Sequence, residues 1–242
     1  MRVQNRHRIK VLCGLFYMFC IFNVLGISTN IETNTFVHNK DENVEKAIQY
    51  VNASVAREEK KIALTFDDGP SHSCTGRLLD GLLERDVKAT FFLIGENAKE
   101  NPKLVKRIYD EGHLIGNHTY THVEITKISD EEAKIELEKT DHVISSITGE
   151  HVQYMRPPFG AWQKELENEL NVLPVLWTVD PLDWTTENVD EIVNKVVTET
   201  EENDIILLHD CCDSSVDAAF QIIDILKKEG FEFVTVDELM IN

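Results

Sequence analysis

The sequence predicts an α/β fold, a barrel of about seven parallel strands covered by helices, and three observations predict it. Short segments rich in β-branched and aromatic residues alternate with longer ones whose apolar residues recur at helical spacing. The strand segments are apolar almost throughout, as strands buried on both faces are. Polar residues of chemical interest follow the strand segments directly, which gathers them on one rim of such a barrel. At 242 residues the chain accommodates one large domain with a substantial core, and it is too short for two domains of ordinary size plus linkers.

Two segments precede that domain. Arg2, Arg6, Arg8 and Lys10 stand before an uncharged apolar run of 17 residues, 11–27, and Gly26 and Ser28 close it. Basic, then apolar, then small is the order of a secretory signal, and the run also nears the length of a membrane anchor. Residues 1–28 are therefore expected to be a signal peptide or anchor, with the product secreted or anchored outside the cell. Residues 29–60 are polar and mixed in charge and read as a linker, with room for a helix at 44–51. The folded domain is expected over 61–242.

Within it, the first strand lies in KIALTFDD, where Ile62, Leu64, Thr65 and Phe66 favour extended backbone and Gly69 with Pro70 stops it. Asp67 and Asp68 thus stand at a strand's carboxyl end. Two like charges side by side repel, and such a pair persists most easily when a cation neutralises one of them. Leu78, Leu79, Leu82 and Leu83 read as one helical face ending near Arg85. Residues 89–94, ATFFLI, form the second strand. Asn101 and Pro102 open a helix carrying Leu104, Val105 and Ile108, which Gly112 closes. A short third strand follows at 113–116. Ser129 and Glu132 make a capping box ahead of the stripe Ala133, Leu137, Ile144 and Ile147. Further strands read at 153–156, 173–179, 205–208 and 231–234. Val216, Ala219, Phe220, Ile223 and Leu226 mark the clearest of the helices between them.

The formal charge of −19 becomes four units more negative without the leader's cations. It argues against nucleic acid as a partner and against long-range attraction to an anionic wall. No protein partner is implied. Cys74, Cys211 and Cys212 lie in the domain, and no CxxC spacing supports a zinc–thiolate site. Cys74 follows the first strand and the other two follow the sixth, so a disulfide from Cys74 to one of them and three free thiols both stay open.

Five polar segments follow strands: Asp67 and Asp68, His118 with His122, RPPFG at 156–160, DPLDW at 180–184, and His209 with Asp210. In HTYTH the two imidazoles are four residues apart, on one face of a helical turn, which suits a single divalent ion. A carboxylate from the first strand completes a set of one oxygen and two nitrogens, leaving a position for water.

Taken together, TFDDGP, HTYTH, RPPFG, DPLDW and ILLHD resemble the five motifs of the polysaccharide deacetylases, the carbohydrate esterase family 4 enzymes with a NodB homology domain. The resemblance runs from about Lys61 to Met240. It implies a distorted (β/α)7-type barrel as a single catalytic domain. It implies Asp67 as general base, Asp68, His118 and His122 as metal ligands, and Arg156 as the residue that positions the base. The backbone N–H of Phe159, where the family usually has tyrosine, falls at the oxyanion donor. His209 matches the general acid and Asp183 the carboxylate beside it. Trp184 and Leu207 match the walls of an acetyl pocket, with Pro157 a further substrate contact and Asp180 in support. The implied cofactor is one divalent metal ion, zinc first, with cobalt, nickel or manganese admitted by the same donors. The implied reaction is removal of N-acetyl groups from an aminosugar polymer. Peptidoglycan is the leading substrate, chitin oligomers and acetylxylan the alternatives, and an inactive wall-glycan-binding module the reading from another class.

Overall fold

The computed structural model describes residues 60–162 and 172–241. The leader, the linker and the helix expected at 44–51 lie outside the described residues. In chain order the elements are β1 (Lys60–Asp67), α1 (Thr75–Glu84), β2 (Thr90–Leu93), α2 (Gly95–Glu100), α3 (Pro102–Asp110), β3 (Leu114–Asn117), α4 (Asp130–Thr148), β4 (Tyr154–Met155), β5 (Leu173–Pro174), α5 (Val189–Glu199), β6 (Ile205–His209), α6 (Asp213–Lys228), β7 (Phe231–Val234) and α7 (Val236–Met240).

Strand β1 is apolar on both faces, with Ile62, Ala63, Leu64 and Phe66 all buried, and so it lies inside the sheet rather than at an edge. The strand order is β5-β4-β3-β2-β1-β6 and every pairing is parallel. β7 pairs with residues Lys60–Ala63 of β1, below the Thr65–Asp67 stretch that β2 takes. The Val236 N–H beyond β7 donates to Thr90 Oγ1 at 3.0 Å and joins it to the foot of β2.

The segment expected as a strand at 173–179 closes the ring in an interrupted way. It pairs with β4 at its start, and at its end Val179 bridges to Ile206, with Leu207 N–H donating to the Val179 carbonyl at 3.0 Å. Pro174, inside the first pairing, has no N–H to give, and the Val175 N–H makes the last bond to β4, on the Met155 carbonyl at 2.8 Å. The carbonyls of Val175 and Leu176 instead accept from the Arg156 guanidinium at 3.1 and 3.3 Å. A buried side chain thus takes the place of a ladder, which is the physical content of the barrel's distortion.

Helices cover the outside, and their buried stripes are those the periodicity marks, with one correction. Leu78, Leu79 and Leu82 of α1 are fully buried, whereas Leu83 is 61% exposed. At about 100° per residue Leu83 lies about 140° round the helix from Leu78, past the edge of the stripe. The capping box that starts α4 is formed on both sides: Glu132 N–H donates to Ser129 Oγ at 3.3 Å, and Ser129 N–H donates to Glu132 Oε2 at 2.9 Å.

Candidate functional site

Asp67 is the last residue of β1 and Asp68 the first beyond it, where the chain turns with φ 71. His118 follows β3, held in place by its N–H on the Leu93 carbonyl at 2.9 Å. Its Nδ1 lies 2.7 Å from the Arg156 carbonyl. A carbonyl only accepts, so Nδ1 carries a proton and Nε2 is the nitrogen turned towards Asp68. That Nε2 and the Nε2 of His122 each lie 3.3 Å from Asp68 Oδ1.

HTYTH is not the helical turn that its spacing suggested. It is a loop, in which Thr119 (φ 61) and His122 (φ 58) are left-handed. The i,i+4 argument needs continuous right-handed backbone, and these two residues interrupt it. The histidines converge through the loop's shape instead.

Among the described residues Asp68, His118 and His122 form a group whose ligand atoms all lie within 4.8 Å of one another. Asp68 Oδ1 is buried and has no hydrogen-bond donor. An orphaned buried carboxylate oxygen is costly, and a divalent cation held by these three residues would satisfy it. The set of one oxygen and two imidazole nitrogens fits such an ion. Burial opposes ionisation of Asp68, but His118 and His122 beside it hold its carboxyl below the ordinary value. Burial pushes the His122 imidazole down, towards the neutral form a ligand needs.

On one side of this cluster Asp67 Oδ2 lies 3.8 Å from His118 Nε2. Asp67 Oδ1 accepts from Arg156 Nη1 at 2.9 Å. Arg156 is wholly buried; Nη1 also donates to Thr65 Oγ1 at 2.7 Å, and the guanidinium lies over the Phe92 ring, 4.2 Å from its centroid. Each contact fixes the plane of the fork, so the orientation of Asp67 is set by a rigid group.

His209, the last residue of β6, stands on the same rim. Its Nδ1 lies 2.8 Å from Asp183 Oδ1, and its own N–H donates to Asp183 Oδ2 at 2.8 Å. Burial alone would push the imidazole down, but the Asp183 carboxylate, with Asp67 and Asp68 nearby, raises it to about 9. The neighbouring Asp210 is fully buried and its carboxyl is pushed up to about 7 by that burial, against the Thr75 hydroxyl that donates to it. It packs directly under Gly69, where a Cβ would sit 2.5 Å from Asp210 Oδ2. Only glycine permits this approach of the β1 turn to the end of β6.

These groups line one cavity of about 430 Å³: Asp67, Asp68, His118, His122 and His209, with Phe159, Trp177, Asp180, Leu182, Trp184 and Leu207. Arg156 and Asp183 stand behind the residues they hold. Pro157 is buried and is not part of the lining. Phe159 is left-handed (φ 61), exposed, and its ring meets the His122 ring edge-on at 5.0 Å. Asp180 Oδ1 accepts from Leu182 N–H at 2.8 Å and so shapes the turn that presents Leu182 and Trp184. Trp177 and Leu182 are not among the residues the sequence marks for the site, and Thr65 is marked there only as a strand former. Leu182 sits inside DPLDW, which was the available signal, while Trp177 falls in a segment that reads only as strand. All three domain cysteines are free thiols: Cys74 is buried, Cys211 exposed, and the Sγ atoms of Cys211 and Cys212 are 3.5 Å apart.

The family model described as polysaccharide deacetylase matches residues 54–176. The peptidoglycan-N-acetylglucosamine deacetylase PgdA of Listeria monocytogenes is 40% identical over 184 residues, covering 76% of this chain and 40% of that protein. The chain thus spans about two fifths of that relative's length. A chitooligosaccharide deacetylase of Rhizobium leguminosarum bv. trifolii is 38% identical over 192 residues, covering 72% of this chain and 89% of that one. The solved structure of peptidoglycan deacetylase PdaC from Bacillus subtilis matches with a TM-score of 0.74 at 37% identity, over 77% of this chain and 92% of that one.

Proposed function

Because the chain belongs to the polysaccharide deacetylase family, we propose that it is a metal-dependent hydrolase removing N-acetyl groups from an aminosugar polymer, with peptidoglycan as the substrate. The observation that carries this reading is the placing of a carboxylate locked by a buried arginine and a histidine kept protonated by a buried aspartate in the same cavity as the Asp68, His118 and His122 cluster. Amide hydrolysis needs those parts: a base for water, a cation site for the carbonyl, and an acid for the departing amine.

Asp68, His118 and His122 would hold the ion, and zinc suits the mixed donors best. When bound, such an ion polarises the carbonyl and acidifies water. Asp67, aligned by Arg156, takes the proton from the attacking water. The Phe159 N–H donates to the oxygen on which negative charge grows. His209 gives its proton to the nitrogen as the C–N bond breaks, leaving acetate and a free amine, and Asp183 stabilises the imidazolium until then. Trp184, Leu182 and Leu207 give the acetyl methyl apolar walls.

Peptidoglycan is favoured by the names of the relatives and by a leader that would place the enzyme beside the wall, secreted or anchored. Acetate release from peptidoglycan, chitin oligomers and acetylxylan, with zinc supplied and with chelator, tests the reading. Release from peptidoglycan that chelator abolishes is expected. Glycan binding without acetate from any of the three would replace it with an inactive binding module.

A further inference from the structure

Non-glycine residues in the left-handed region are strained and persist only where their surroundings hold them. The loop from His118 to His122 contains two, and the structure shows what holds them. Thr119 N–H donates to Asn117 Oδ1 at 2.9 Å. The carbonyls of Thr119 and Tyr120 accept from Gly95 and Glu96 N–H, at the start of α2, at 2.9 and 3.0 Å. Two further N–H groups, of Tyr120 and Thr121, converge on a single atom. Glu136 Oε2 accepts both, at 2.9 and 2.8 Å, and the Thr121 hydroxyl at 3.0 Å.

Glu136 lies on α4, one residue before Leu137, whose carbonyl accepts from Asn117 Nδ2 at 2.9 Å. The helix is thereby registered against the end of β3, and Glu136 reaches the loop from a fixed base. We propose that Glu136 is a positioning residue for the cation site, its carboxylate fixing the N–H groups of Tyr120 and Thr121, the two residues before His122, so that the imidazole is aimed at Asp68. The proposal rests on the reading of Asp68, His118 and His122 as metal ligands. The effect is one of pre-organisation. Without the carboxylate the loop regains conformations in which His122 points elsewhere, and cation binding has to reorder it.

The test is calorimetric titration of the full chain, stripped with chelator, by zinc or cobalt, together with the visible spectrum of the cobalt form. Glu136→Ala should weaken binding by about 10- to 100-fold, the range found when a ligand's supporting contacts are lost, and alter the cobalt spectrum. Glu136→Gln keeps one accepting oxygen and should recover part of the affinity. Glu138→Ala, an exposed change on the same helix, should leave affinity unchanged. Parental affinity and spectrum in Glu136→Ala would overturn the proposal even if the variant melts lower, because its role would then be structural only. Failure of the parent to bind either ion would overturn the ligand reading and this proposal with it.

Discussion

One carboxylate holds His209 twice: Asp183 Oδ1 faces its ring Nδ1 and Asp183 Oδ2 accepts its backbone N–H, both at 2.8 Å. The first contact raises the imidazole pKa and the second fixes the residue that bears it. If His209 is the acid proposed, its activity should be lost as pH rises through that value, about 9. Asp183→Asn keeps an accepting oxygen and removes the charge, so the alkaline limb of the pH–rate profile should move down by about one unit or more. The stability linkage has the same sign: the folded pKa lies above the ordinary 6.5, so the contribution is full below that value and lost as pH rises through about 9. A profile of acetate release over pH 6 to 10 checks the first claim, and an unmoved limb would show that Asp183 does not hold the proton on His209.

Asp67 and Asp68 are neighbours in sequence with different nearest partners, Arg156 at 2.9 Å for the first and the two imidazoles, each at 3.3 Å, for the second. Asp67→Asn should therefore lower the rate by on the order of 10²- to 10⁴-fold, about 3 to 5 kcal/mol of barrier, while metal content is kept. Asparagine is the better probe, because its amide oxygen can still accept from Arg156 Nη1, as Asp67 Oδ1 does, whereas alanine removes that acceptor; either change leaves the buried Arg156 charge uncompensated, at about 3 to 5 kcal/mol in stability. Asp68→Ala should instead lose the metal. Metal analysis of the two purified variants, run beside the rate assay, separates the roles. Equal metal loss in both would erase the distinction.

The strand–helix alternation and the polar residues after strands were legible because each is carried by a contiguous run: β1 into Asp67 and Asp68, β6 into His209. What escaped is backbone shape. Asp68, Thr119, His122, Phe159 and Leu182 all have positive φ, and none is glycine, the residue whose presence announces that conformation. Local sequence therefore suggested a helical turn at HTYTH, where packing against α2 and Glu136 imposes a loop. The interrupted closure at 173–179 escaped for a related reason. A pattern of apolar residues reads as strand whether its carbonyls meet a neighbouring strand or an arginine from RPPFG.

The thiols give a prediction that separates the two arrangements left open by the sequence. Cys74 is 2% exposed, and its Sγ lies 3.6 Å from the Cys211 carbonyl rather than against either partner sulfur. Alkylation of the denatured, unreduced protein should label Cys74, Cys211 and Cys212, whereas in the native protein buried Cys74 should resist and exposed Cys211, whose thiol is pushed up by burial and by the Cys212 thiol beside it, should react only slowly. Peptide mapping by mass spectrometry reads both results. A Cys74-containing disulfide peptide would contradict the free-thiol arrangement.

His113 makes a prediction away from the rim. Ala89 N–H donates to its Nδ1 at 3.1 Å, so that nitrogen is unprotonated and the ring neutral. Burial, with Lys88 and Arg107 adding like charge, lowers its pKa to about 4. A folded pKa below the ordinary 6.5 means that the unfolded chain takes up the proton first as pH falls, so stability declines from about 6.5 downward until the folded value is reached. By pH 5 the loss from this group alone is about 2 kcal/mol. His113→Gln removes the titration and keeps an oxygen able to accept from Ala89. Urea unfolding at about pH 7.5 and about pH 5 should show the parent losing that much more than the variant, since the other titrating groups are common to both and cancel in the comparison. Equal losses in the two proteins would mean that His113 does not couple folding to protonation.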